Sequence, residues 1–146
     1  MRIDHNEQFF SQLKRHEGLR LEAYICPAGA LTVGWGHNCD ARPVPGIDKE
    51  GDAISRGTAE RLLMDDVKAV KKELDKALPW WRELSEARQG VLLNMAFNLG
   101  VPRLSGFVKM LHALESGDWN RAAREMLDSR WAEQVKGRAA ELSTQM

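Results

Sequence analysis

The hydrophobic rhythm of this chain changes at Gly18, and that switch limits what the N-terminal third can form. Before it, Phe9, Phe10 and Leu13 recur at helical spacing, which predicts a short amphipathic helix over residues 6–16 with Gly18 as its stop. After it, Leu19, Leu21 and Ala23 alternate with Arg20, Glu22 and Tyr24, the two-residue period of a strand. Pro27-Ala28-Gly29 reads as a turn, and Leu31-Thr32-Val33-Gly34-Trp35 as the returning strand. The run RHEGLRLEAYICPAGALTVGWGH therefore encodes helix, reversal and hairpin in sequence. Glu17 stands at the predicted helix C-terminus, beside the negative end of the dipole. That position disfavours a second negative charge, so a raised pKa and a general-acid role are expected there.

Residues 38–51, with Arg42-Pro43-Val44-Pro45-Gly46, read as loop. Ser55 is a suitable N-cap for a long helix in which Ala59, Leu62, Leu63, Val67, Val70, Leu74 and Leu78 recur at helical spacing. Such a helix would run about 30 Å, and Pro79 ends it. Ser85 then caps a helix that is apolar nearly all round over residues 91–97, the mark of a buried helix. Two or three shorter helices are predicted beyond it, with breaks at Gly100–Pro102, Ser116–Asp118 and Lys136-Gly137. The fold class that follows is α+β, mainly α, with a small N-terminal hairpin lobe, a connecting helix and a helical C-terminal lobe.

Composition narrows the function. The 146 residues are 43% hydrophobic and include five tryptophans, enough for one domain with a proper core. Lys+Arg and Asp+Glu both number 21, so no bulk field favours nucleic acid. No apolar run approaches the ~20 residues of a membrane span, and the first seventeen residues are too charged for a secretory leader. Stable membrane insertion is not expected, and synthesis in the cytoplasm is. Two cysteines, Cys26 and Cys39, cannot form a disulfide framework; they are free thiols, or a pair in an oxidising compartment.

Each candidate residue has a bland reading. Glu17 could be an ordinary solvated charge, but the sharp turn at Gly18 brings the next elements over it. Thr32 suits a pleated surface, and a hairpin folded beneath Glu17 would let its hydroxyl hold a water. His37 and His16 lack partners at metal-ligand spacing, so no metal is expected and His37 reads as a core or supporting histidine. Cys26 has no adjacent basic residue to lower its pKa and reads as a small buried apolar residue. Asn94 and Asn98 either satisfy backbone groups or line a cleft, and Arg138 is either surface or a cation near the front lobe. Trp80, Trp81, Trp119 and Trp131 read as core.

Four segments carry a resemblance: EGLRLEAY with LTVGWGH, ISRGTAERLLMDDV, LLNMAFNLG followed by SGF, and SRW followed by GRA. In this order they resemble the phage T4-type lysozymes, the endolysins of glycoside hydrolase family 24, from about residue 7 to residue 140. The resemblance implies a single two-lobed lysozyme-like domain over residues 1–146: a lobe over 13–54, a connecting helix over about 55–78, and a helical lobe over 79–146 plus the N-terminal helix. It implies hydrolysis of the β-1,4 bond between N-acetylmuramic acid and N-acetylglucosamine in peptidoglycan, with no cofactor. It also implies host lysis by a monomer that is made in the host cytoplasm and reaches the wall in the periplasm with help from a holin-type protein. Glu17 matches the family's general acid and Thr32 its water-holding threonine. His37 matches the histidine ending the hairpin motif, Phe97 and its neighbour Asn98 the helix along the sugar cleft, and Arg138 the arginine facing the acid.

One departure alters the chemistry. The family has an aspartate in the hairpin turn where this chain has Cys26, and inverting glycosidases generally use a carboxylate base. A thiolate could replace it, whereas a thiol of ordinary pKa near ~8.5 would be mostly protonated at neutral pH. The segment after His37 is short, positive charge is not in excess, and the tail after Arg138 is brief enough to lack one closing helix. Three functions follow as expectations: a muramidase, a lytic transglycosylase using Glu17 alone, or a peptidoglycan-binding protein that has lost catalysis.

Overall fold

The computed structural model describes residues 7–146, so Asn6, the predicted first residue of the first helix, lies outside the described residues. Helix α1 (Glu7–Glu17) buries Phe9, Gln12 and Leu13 and ends at Gly18. There the chain takes φ 71°, a left-handed turn that glycine adopts without a Cβ penalty. Strands β1 (Arg20–Ile25) and β2 (Leu31–Gly34) form the expected antiparallel hairpin, pairing Tyr24 with Thr32 and Ile25 with Leu31. A third strand, β3 (His37–Asn38), follows Trp35-Gly36 and pairs with β2, giving the order β1-β2-β3.

The loop expected over residues 38–51 does more structural work than a connection. Just beyond it, the backbone N–H groups of Ala23 and Ile54 bond to the carbonyls of Asp52 and Leu21 at 2.7 and 2.9 Å. Gly51 donates to the Ala23 carbonyl at 2.9 Å, so residues 51–54 line the outer edge of β1. Ala23, Leu31, Val33, Cys39, Val44 and Ile47 form a small buried core under this sheet, closed by Ile54 and Leu62.

Helix α2 (Arg56–Ala77) starts at Ser55, whose Oγ accepts the Thr58 N–H at 3.1 Å. A 3-10 turn at Trp81–Glu83 leads to α3 (Glu86–Leu99), capped by Ser85 through the Arg88 N–H. Residues 91–96 are all buried, as its apolar circumference predicts. The remaining helices are α4 (Val101–Leu104), α5 (Val108–Glu115), α6 (Trp119–Leu127) and α7 (Arg130–Gln145). The backbone of α7 leaves helical geometry at Lys136, where a break was expected.

Contacts divide the described chain into two units, Glu7–Ala69 and Val70–Met146, with the boundary inside α2. By contacts helix α1 lies in the same unit as the sheet. The physical reason is Lys14, whose Nζ meets Glu60 Oε1 at 2.9 Å and stands 4.7 Å from the centre of the Trp35 ring. Of the four tryptophans assigned to the core, Trp81 and Trp131 are buried. Trp80 and Trp119 are only half-buried, the latter beneath the Arg88 guanidinium at 3.8 Å.

In the second unit, Asp75 ties the end of α2 to the following turn. Its carboxylate accepts from Trp81 Nε1 at 2.8 Å and Arg82 Nε at 2.7 Å. One helical turn earlier, Lys71 is 5% exposed, and burial beside the Arg82 charge pulls its pKa down to about 8. A folded-state pKa below the unfolded value means that the unfolded chain binds more protons, so Lys71 opposes folding at neutral pH. Lys71→Met is expected to stabilise the protein by about 1–2 kcal/mol near neutrality. That gain should fade as pH rises from about 8 towards the unfolded lysine pKa of about 10.4, as thermal melts across that range would test.

Candidate active site

The hairpin turn is built to donate hydrogen bonds. Cys26 N–H donates to the Ala30 carbonyl at 2.9 Å and Gly29 N–H to the Cys26 carbonyl at 2.8 Å, with Gly29 at φ 87°. This closure directs backbone N–H groups at the Cys26 sulfur. The Ala30 N–H does most to hold the thiol below its ordinary pKa of 9.0, followed by the Thr32 hydroxyl, with Ala28 and Gly29 adding less. Partial desolvation works against them and loses. Of the two states left open by the sequence, this shift favours the thiolate. A search of the sequence for charged neighbours misses donors supplied by the peptide backbone, which stabilise an anion equally well. Cys26 is also half-buried rather than packed in the core. Cys39 is the buried thiol, its pKa raised by burial and by Asp40 and Asp66.

Thr32 sits on the central strand, buried, opposite both Tyr24 and Asn38. Its Oγ1 lies 2.9 Å from the Ala30 carbonyl, so its single hydrogen serves either that carbonyl or the Cys26 sulfur, while the oxygen lone pairs remain acceptors. Glu17, half-buried, is the last residue of α1, at the carbonyl end of that helix. Cys26, Thr32 and Glu17 thus belong to one unit, and the first two share the hairpin turn.

His37 closes the sheet as a supporting residue. It is 4% exposed, its Nδ1 lies 2.8 Å from Asp66 Oδ2, and its Nε2 lies 2.9 Å from the Arg42 carbonyl. Burial disfavours its cation, but two acceptors and the Asp66 charge outweigh that cost and raise its pKa above 6.5. Arg42 Nη1 also reaches Asp66 Oδ1 at 3.0 Å, so the carboxylate clamps β3, the loop and α2 together. Sequence reasoning did not find Asp66, which lies 29 positions from its histidine. The one available signal was an acidic residue inside the quoted ISRGTAERLLMDDV segment.

The other candidates belong to the second unit. Phe97 is half-buried on α3, and Asn98 is exposed there, its Oδ1 accepting from Trp131 Nε1 at 2.7 Å. Trp131 meets Phe107 edge to face at 6.4 Å, and both line a cavity of about 440 Å³ with Leu99, Met110, Arg103 and Glu125. Arg138, half-buried after the break in α7, donates from Nε to Asn94 Oδ1 at 2.8 Å. Trp131 and Asn94 are the partners that single-residue inspection did not assign.

A mainly helical chain with a small three-stranded antiparallel sheet after its first helix has the α+β lysozyme type of fold. Residues 14–144 match the phage lysozyme family, and the chain belongs to it. It is 32% identical to the pre-baseplate central spike protein Gp5 of Enterobacteria phage T4 over 94% of this chain, which spans 27% of that protein. It is 30% identical to an endolysin of Acyrthosiphon pisum secondary endosymbiont phage 1, over 89% of this chain and 82% of the relative. An endolysin of Bacillus phage B103 is 31% identical over 79% of this chain and 41% of its own length.

Proposed function

We propose that the protein is a peptidoglycan-degrading glycosidase that hydrolyses the β-1,4 bond between N-acetylmuramic acid and N-acetylglucosamine. Glu17 donates a proton to the bridging oxygen as that bond breaks, and Thr32 holds the attacking water. The Cys26 thiolate accepts a proton from that water or stabilises positive charge on the sugar. The observation that carries this reading is the hairpin turn, whose backbone donors and Thr32 hydroxyl favour an anionic sulfur where the family has an aspartate. In this reading the protein is a monomer made in the host cytoplasm. A holin-type partner releases it to the wall, and the host lyses. The relatives named endolysin support that reading, as does family membership. No helix among the described residues is long and apolar enough to cross a membrane.

Alkylating Cys26 is expected to lower the rate strongly. Cys26→Asp should keep substantial activity and Cys26→Ser should lose most of it, measured as reducing ends released from purified peptidoglycan. Equal rates in all three proteins would remove the sulfur from the mechanism. The absence of a carboxylate at position 26 also favours a second reading, lytic transglycosylation, in which the sugar's own 6-hydroxyl attacks in place of water. Mass spectrometry separates the two: hydrolysis leaves reducing ends, and transglycosylation leaves 1,6-anhydromuramoyl ends.

A further inference from the structure

One face of the small sheet carries a row of three side chains, one from each strand. Thr32 pairs with Tyr24 on β1 and with Asn38 on β3, and paired residues project from the same face. Cys26 stands two positions beyond Tyr24 on that side, whereas Ala23, Val33 and Cys39 turn to the core on the other. With neighbouring strands about 4.8 Å apart, the row is about 10 Å long, room for one hexose and an acetamido arm. All of it lies within the unit Glu7–Ala69. Both ends of the row are held in place. Asn38 Oδ1 accepts the backbone N–H groups of Asp40 and Ala41 at 2.9 and 3.1 Å, and the Asn38 carbonyl accepts from the Arg42 N–H at 3.0 Å. Two donors converging on one side-chain atom identify it as the oxygen, which leaves the NH2 group of this exposed residue with both hydrogens to give. At the other end, the Arg20 guanidinium carbon lies 4.2 Å from the centre of the half-buried Tyr24 ring and holds it by one face.

We propose that Tyr24, Thr32 and Asn38 form the subsite for one N-acetylated sugar, with Tyr24 as its apolar wall and Asn38 as the specificity-determining residue, whose Nδ2 donates to the acetamido carbonyl. The inference rests on the function proposed above and names the residues beside Thr32 that read the substrate. A donor already fixed by its own turn binds a carbonyl without further ordering cost. A sugar stripped of its acetyl group offers an ammonium instead, which meets donor hydrogens and forfeits the bond. An asparagine that served only to cap its turn would be indifferent to that change.

The test uses the full chain as wild type, Asn38→Asp and Tyr24→Leu, with peptide-free peptidoglycan strands, native or chemically de-N-acetylated, as substrates. Asn38→Asp keeps the oxygen that caps residues 40 and 41 and exchanges the donor for a second acceptor, so the turn is retained, which a thermal melt checks. Its kcat/KM on native strands is expected to fall about tenfold, mainly through KM, and its preference for native over de-N-acetylated strands should vanish or reverse. Tyr24→Leu should lose activity on both strands alike, because a wall does not distinguish them. In Glu17→Gln, the Asn38 side-chain NH2 resonances should shift when native strands are added and stay in place with de-N-acetylated ones. A wild type indifferent to the acetyl group, an Asn38→Asp variant with the wild-type preference, or a fully active Tyr24→Leu overturns the proposal and leaves the glycosidase reading standing. Asn38 resonances unmoved by native strands also overturn it. A wild type that cuts neither strand overturns the functional reading and this proposal with it.

Discussion

Replacing Glu17 with glutamine is expected to cut the release of reducing ends from peptidoglycan by about a thousandfold or more, with the fold intact. Glutamine fills the same volume at the end of α1 but cannot pass a proton to a departing sugar oxygen, so the leaving group must depart as an alkoxide. The amide keeps the length and shape of the carboxyl at the end of α1, so packing there is preserved. Thermal stability should therefore be little changed while activity disappears. A reducing-sugar assay run beside a circular-dichroism melt checks both halves. Activity surviving in a well-folded Glu17→Gln protein would take that side chain out of the chemistry.

The largest expected effect on stability belongs to Asp66. Its carboxylate lies 2.8 Å from the buried His37 ring and 3.0 Å from Arg42, so Asp66→Asn takes from both groups the carboxylate that they share. The cost should be about 3 kcal/mol near neutral pH, or roughly 10 °C in Tm for a chain of this size. The pH dependence has a definite sign. Because the folded-state pKa of His37 is raised, the stabilisation is fully present below the unfolded value of about 6.5 and is lost as pH rises through the folded value. The gap in Tm between wild type and Asp66→Asn should narrow on the alkaline side. A gap that stays constant from acid to alkaline pH would mean that the pair contributes through geometry rather than charge.

What could be read from the sequence, and what could not, follows the range of the interactions. Gly18, the Pro27-Ala28-Gly29 turn and the caps at Ser55 and Ser85 act within a few residues of themselves, and each appears where its local chemistry predicts. The two-residue β3 and the edge contacts of residues 51–54 were not predicted, because backbone bonding there depends on partners rather than on side-chain rhythm. The same holds at the candidate site. Glu17, Cys26, Thr32 and His37 stand in one short run and could be singled out from it. The groups that tune them could not: peptide N–H donors at the Cys26 sulfur, and Asp66 from a distant helix against His37. Asn94 and Arg138 illustrate the point most sharply, since neither residue's spacing reveals the other.

The bonds from residues 51–54 to β1 have a consequence for life at high concentration. An unpaired strand margin is a template on which another copy can add, and the flanking Leu21 and Ile25 are partly exposed. With that margin occupied by the chain's own backbone, and the opposite strand only two residues long, the sheet gives a neighbouring molecule little to extend. Substitutions that loosen residues 51–54 should therefore show themselves first as lost solubility, before any fall in the activity of the molecules that stay dissolved.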